Sequence, residues 1–273
     1  MIELLSYDFL RRALIAAVLV GIAAPAVGTF IVQRRLALLG DGIGHIALTG
    51  VGLGLLTRTS PTIFALIVSA LGAVVIELLR VRTRTGGDVA LALLFYGGLA
   101  GGVLFANLSG GSASLNSYLF GSISSVSTGD LYVVAGLAVA VLVILALFGR
   151  ELFVLCQDEE VARASGLPVR FLSLLIAVTA ALTVVVAMRA VGLLLVSALM
   201  VVPVAAAQQL TRGFKTTIGL AVVVGVVAAV GGLWVSVDAD IAPGPTIVLL
   251  AMTVFLLAVG TGRLVRMRRT ETR

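Results

Sequence analysis

The chain has 273 residues, 60% of them hydrophobic and only 12% charged, with a mean hydropathy of +1.19; that leaves too little polar material to cover a soluble globule, and the composition is that of an integral membrane protein. The net charge of +6 does not point to nucleic acid, because the nineteen basic residues are scattered over short connections and build no single basic face. Cys156 is the only cysteine, which excludes an intrachain disulfide and a thiolate metal site.

The apolar runs are about 20 residues each, enough to cross a hydrocarbon core of roughly 30 Å. They lack the alternation of barrel strands and are predicted as helices. In chain order they fall at 12–33, 41–57, 61–79, 89–107, 130–148, 169–188, 191–210, 216–237 and 244–262. The expected fold class is all-α: a polytopic membrane bundle of eight or nine transmembrane helices forming one transmembrane domain over 1–273. Arg11 and Arg12 before the first run, and Ala24-Pro25-Ala26 within it, imitate a secretory leader. The run nevertheless continues to Val32 and is closed by Arg34 and Arg35, which predicts a retained span.

Basic residues orient the bundle. Arg34, Arg35, Arg80, Arg82, Arg84, Arg150, Arg163, Arg170, Arg212, Lys215 and a tail of Arg263, Arg266, Arg268, Arg269 and Arg273 fall on one side, against Arg11, Arg12, Arg58 and Arg189 on the other. The richer side is predicted to be cytoplasmic, with the N-terminus outside and the C-terminus, including a basic tail at about 263–273, inside.

Within the second segment, Asp41 and His45 stand four residues apart, one helical turn, and therefore on one face. His45 is the only histidine. A carboxylate and an imidazole converging at membrane depth suit a divalent transition metal; the plainer alternative is that Asp41 caps its helix and His45 hydrogen-bonds a neighbour. Gly40, Gly44, Gly50, Gly52 and Gly54, with the pairs Gly97/Gly101 and Gly98/Gly102 in the fourth segment, sit at spacings that let helices approach closely. An ionised group facing lipid would cost at least about 2.5–3.5 kcal/mol, so this helix is expected to line a protein-enclosed path. Two ligands are too few for a tight site, since zinc takes four and manganese more; a two-fold axis bringing two Asp41 and two His45 together would double them. Pro203, inside an apolar run, withdraws a backbone hydrogen bond and is the candidate gating break. Glu77 and Asp88 are expected to pair with the Arg80–Arg84 turn, Asp238, Asp240 and Arg189 to lie in outer connections, and Cys156 to be a small buried or interfacial residue.

Two connections carry more than a link. The outer stretch 109–128 is rich in Ser and Gly yet holds Tyr118-Leu119-Phe120, as a short helix or re-entrant segment would, or else is an exposed loop. In the cytoplasmic stretch 150–168, Asp158, Glu159 and Glu160 suit a helix's first turn, Arg163 a later turn, and Gly166 followed by Pro168 a stop. Such a helix serves either as a docking knob or as a lipid-surface helix.

The stretches Arg34-Arg35-Leu36-Ala37-Leu38-Leu39-Gly40-Asp41 with His45 and Ala47, Ser117 to Gly121, Asp158 to Val169, and Val191 to Pro203 stand in the order and spacing of one family. Over nearly its whole length the chain resembles the permease subunits of ATP-binding-cassette importers for zinc, manganese or iron. The resemblance implies a homodimer in the cell membrane, two separate cytoplasmic ATPase subunits, and an extracytoplasmic solute-binding protein that delivers the metal. It further implies that the Asp158–Val169 segment is the coupling helix, that the metal is cargo, and that no cofactor is permanently bound. Thr49 departs from the pattern, standing where many relatives have proline.

The sequence holds no glycine-rich phosphate loop ending in Lys-Ser or Lys-Thr, so nucleotide hydrolysis is expected on a partner and the chain is not expected to be an enzyme. The rival reading is a stand-alone proton-coupled transporter with Asp41 and His45 as relay. An intramembrane metallohydrolase would need a third ligand, such as a His-Glu-x-x-His pair supplies, and none is present.

Overall fold

The structure is a computed structural model and describes residues 8–82, 87–111, 117–121, 128–188 and 192–270. Among them, besides a turn of helix at 117–120, nine long helices and one short one follow in order: α1 (Asp8–Gln33), α2 (Leu39–Leu56), α3 (Pro61–Arg82), α4 (Gly87–Leu108), α5 (Thr128–Gln157), α6 (Glu159–Ala164), α7 (Val169–Met188), α8 (Leu193–Leu210), α9 (Phe214–Ala239) and α10 (Pro243–Thr270). Eight are long and apolar enough to cross a membrane; in the remaining long helix, α8, the apolar stretch Val196–Leu210 is shorter. The chain is therefore a multi-pass, all-helical membrane protein, and no strand occurs among the described residues.

The predicted spans and observed helices agree within a few residues, with two larger differences, at the C-terminal ends of α5 and α10. The fifth helix does not stop at Leu147–Phe148; it runs to Gln157, carrying Arg150 and Glu151 on its extension. No proline or left-handed residue interrupts it there, and Leu152 and Leu155 are buried against the bundle, so packing holds the extra turns after the lipid-soluble run has ended. Likewise the last helix continues to Thr270, well past the end of its apolar run.

Two groups of helices share a central pair. α2 packs against α3 and α4, α1 packs against α5 and α9, and α7 and α8 touch both α1 and α2. α1, α2 and α7 are consequently the most enclosed spans, whereas α4, α5 and α10 present most of their surface outward, with apolar side chains such as Leu93, Leu147 and Leu256 exposed as a lipid-facing surface requires. α2 is at once the least hydrophobic span and among the most buried. A helix walled off from lipid by its neighbours has no need of a uniformly apolar surface, which is what permits an acid and an imidazole on it.

Glycine makes that enclosure possible. A Cβ on Gly50 would stand 2.6 Å from the Phe64 carbonyl oxygen of α3, and one on Gly98 would stand 2.6 Å from the backbone of His45. Of the two glycine pairs predicted on α4, Gly98 and Gly102 are the contact row against α2; Gly101 meets only the Thr49 side chain, and Gly97 faces open space. α1 and α8 touch as closely, since a Cβ on Gly28 would run into the Met200 carbonyl. α1 passes through Pro25 without breaking, and Thr29 Oγ1 donates to the Pro25 carbonyl oxygen at 2.9 Å.

Candidate functional site

α2 opens at Leu38, which offers no side-chain cap, and places Asp41 in its first turn and His45 one turn later. The shared face predicted from spacing is realised: Asp41 Oδ1 lies 3.9 Å from His45 Nε2. That is too far for a hydrogen bond. Two metal bonds of about 2.0–2.2 Å span about 4 Å end to end, so the gap can admit one ion and be bridged by it. The His45 side chain is 7% exposed and that of Asp41 33% exposed. Asp41 borders a groove of about 220 Å³ with Leu38, Leu91, Ala92, Phe95 and Tyr96. The Phe95 ring lies against the imidazole, centroids 3.9 Å apart, so the acid is the outer member of the pair and the histidine the inner.

Neither half of the plainer alternative, a cap from Asp41 and a hydrogen bond from His45, forms among the described residues. Asp41 caps nothing, since no side-chain cap bond forms at the start of α2, and His45 Nδ1 is buried without a hydrogen-bond partner among the described residues. A buried polar nitrogen left unpaired costs about 1–3 kcal/mol, which an ordered water at Nδ1 would relieve; the nitrogen turned to Asp41 is the other one, Nε2. A third polar group joins from α8: Ser197 Oγ donates to Asp41 Oδ1 at 3.4 Å. Sequence reading passed over Ser197, a lone hydroxyl in an apolar run, and passed over Phe95; nothing in linear spacing ties either to α2. Among the described residues no three His, Cys, Asp or Glu side chains converge, so one chain supplies an incomplete coordination shell.

Thr49, the departure noted above, spends its hydroxyl on α4: Oγ1 donates to the Gly98 carbonyl oxygen at 2.7 Å, one turn beyond His45. Pro203 lies buried inside α8, which continues through it.

The connection between α5 and α7 forms α6 as a six-residue helix. Asp158, expected in the first turn, stands one step earlier as the N-cap, with Oδ1 accepting from the backbone of Glu160 at 2.7 Å and of Val161 at 3.2 Å. Arg163 donates to Glu159 Oε1 at 3.1 Å across one turn, and Gly166 ends the helix at φ +77 before Pro168. Only Ala162 of α6 is buried; Glu159, Glu160, Val161 and Arg163 are exposed. An interaction that sequence reading missed ties α6 to the bundle. Arg34, with its side chain 7% exposed, donates to Glu159 Oε2 at 3.0 Å and to Ser173 Oγ of α7 at 2.7 Å. Arg34 thereby fixes α6 to the link between α1 and α2, seven residues before Asp41.

Other expectations divide. A helical turn does form over 117–120, where Tyr118 is buried and the Leu119–Gly121 backbone fits against Gly192 at φ +89; 112–116 and 122–127 lie outside the described residues. Glu77 is buried in α3, while the side chains of Arg80, Arg82, Arg84 and Asp88, as well as Arg189, lie outside the described residues. Asp240 is the left-handed C-cap of α9 at φ 51, a structural position, and Asp238, expected in a connection, is exposed in the last turn of α9, which runs on to Ala239. Cys156 is half-buried with Sγ 3.6 Å from the Phe30 carbonyl oxygen.

The model of the ABC 3 transport family matches residues 6–262. The chain belongs to that family. Among similar proteins, a manganese transport system membrane protein, MntC, of Halalkalibacterium halodurans is 38% identical over 94% of this chain and 88% of its own length. A high-affinity zinc uptake system membrane protein, ZnuB, of Haemophilus influenzae is 27% identical over 93% of this chain and 97% of its own. A solved structure, PsaBC from Streptococcus pneumoniae in complex with Fab, superposes with a TM-score of 0.86 at 33% identity, covering 94% of this chain and 95% of that one. The ABC 3 transport assignment agrees with the resemblance read from the four sequence stretches and with the helical membrane architecture.

Proposed function

We propose that this ABC 3 transport protein is the membrane permease of an ATP-driven importer of a divalent transition metal, zinc, manganese or iron. The observation that carries the reading is the Asp41/His45 pair: two donors 3.9 Å apart on an enclosed helix, one at a groove and the other buried behind Phe95. The names of the relatives, manganese and zinc transport membrane proteins, support the cargo class. Nitrogen and oxygen donors suit all three metals. Selection among them is assigned to an extracytoplasmic solute-binding protein that delivers the ion.

In this reading two copies face each other so that both Asp41/His45 pairs share one route, and a transient site of up to four protein donors forms and dissolves as the helices approach and part. The N-terminus is outside and the C-terminus cytoplasmic, as the arginine distribution directs. Asp158, Glu159, Glu160, Arg163, Gly166 and Pro168 belong to the coupling helix, which seats in a separate ATPase subunit and passes its movement inward through Glu159 and Arg34. Pro203 supplies the flexible point in α8.

The test is metal uptake by the assembled complex carrying Asp41→Ala or His45→Ala. Each is expected to abolish uptake while assembly and ATP binding persist. Near-normal uptake in both would reduce the pair to structural residues, and uptake by the reconstituted chain without ATPase would favour the proton-coupled alternative.

A further inference from the structure

Away from the metal helix, a cavity of about 670 Å³ opens between α1, α5 and α9. Its wall is almost wholly apolar, with Phe30, Phe153 and Phe214 forming an aromatic end: Phe214 meets Phe30 edge-on at 5.3 Å between centroids and Phe153 at 4.6 Å. Gly149 adds no bulk, and a Cβ there would find nothing within 4 Å. At the same end of the bundle two cations border the cavity, Arg150 from α5 and Lys215 from α9. Both are exposed, and neither makes an ion pair among the described residues. Glu151, the acid next to Arg150, is not part of the lining, because one residue along a helix turns the side chain away.

A greasy slot ending in two unpaired cations is complementary to one class of ligand: an amphiphile with acyl chains and an anionic head. We propose that this cavity binds an acidic phospholipid of the leaflet on the α6 side, its acyl chains along α1, α5 and α9 and its phosphate between Arg150 and Lys215. The level fits, because Arg150 and Lys215 mark the membrane ends of α5 and α9 on the face where α6 lies. Basic pockets between transmembrane helices at the cytoplasmic surface are the usual receptors for such head groups. The site is separate from the Asp41/His45 pair and depends only on the membrane-spanning architecture, not on the metal reading.

The experiment is native mass spectrometry of the purified chain, or of its complex, with dioleoyl phosphatidylglycerol and dioleoyl phosphatidylcholine offered in equal amounts. One phosphatidylglycerol per chain is expected to remain bound in preference to phosphatidylcholine. A cation near an anionic head is worth about 1 kcal/mol, or about five-fold in affinity, so Arg150→Gln with Lys215→Gln should weaken phosphatidylglycerol about 25-fold and phosphatidylcholine, whose choline cation offsets its phosphate, far less. Gly149→Leu, whose Cβ would meet nothing within 4 Å and whose side chain takes up space in the slot, should weaken both lipids, and Arg212→Gln, outside the lining, neither. Millimolar inorganic phosphate should not displace the lipid, since the acyl chains supply most of the binding. Equal retention of the two lipids, loss of neither in the double variant, or displacement by phosphate alone would overturn the proposal.

Discussion

Gly97 and Gly98 are neighbours on α4, and the structure predicts opposite outcomes when each becomes alanine. At Gly98 a Cβ would stand 2.6 Å from the carbonyl carbon of His45 and 2.7 Å from its oxygen. Ordinary contact begins near 3.4 Å, so α4 must retreat from α2 by about 0.8 Å, and because the obstacle is backbone no rotamer change can absorb it. Overpacking of this kind costs about 1–3 kcal/mol. It would also pull Phe95, on the same helix, away from the imidazole it covers and loosen the Thr49 bond to Gly98. At Gly97 the new methyl meets nothing within 4 Å, and replacing a mid-helix glycine gains about 0.5–1 kcal/mol. Thermal melting in detergent and metal uptake by the reconstituted complex read both effects. Gly98→Ala should melt lower and transport less, Gly97→Ala should melt at or above the parent with uptake intact, and equal behaviour of the two would refute the packing argument.

Arg34→Met keeps the length of the side chain but removes both charge-assisted bonds; since Glu159 is 44% exposed and can turn to water or Arg163, the cost is about 1–2 kcal/mol rather than that of a fully buried pair. The expected signature is ATP hydrolysis by the complex that persists while uptake falls, and an unchanged ratio of ions moved to ATP consumed would remove Arg34 from the coupling path. Gly166→Ala forces an L-residue to φ +77 at about 1–2 kcal/mol, so α6 should re-end and coupling weaken; wild-type coupling would show that the end of α6 is not critical. Thr49→Val removes one hydrogen bond to α4 and should lower the melting point by the equivalent of about 1 kcal/mol, with no shift meaning that the bond contributes nothing.

The linear chain alone determined the membrane class, the spans to within a few residues apart from the far ends of α5 and α10, the placement of Asp41 and His45 on one helical face, and the stop of α6. Those features rest on composition and on periodicities shorter than two helical turns, which local geometry enforces wherever the helix sits. Tertiary structure alone decided that Gly98 and not Gly97 meets α2, that Phe95 covers His45, that Arg34 holds Glu159, and that Ser197 reaches Asp41 across 156 residues. It also carried α5 beyond its apolar run to Gln157, because Leu152 and Leu155 find buried partners there. Each of these depends on which helices become neighbours and on how each is rotated about its axis, and that choice is made by close packing of many side chains at once, not by any single segment.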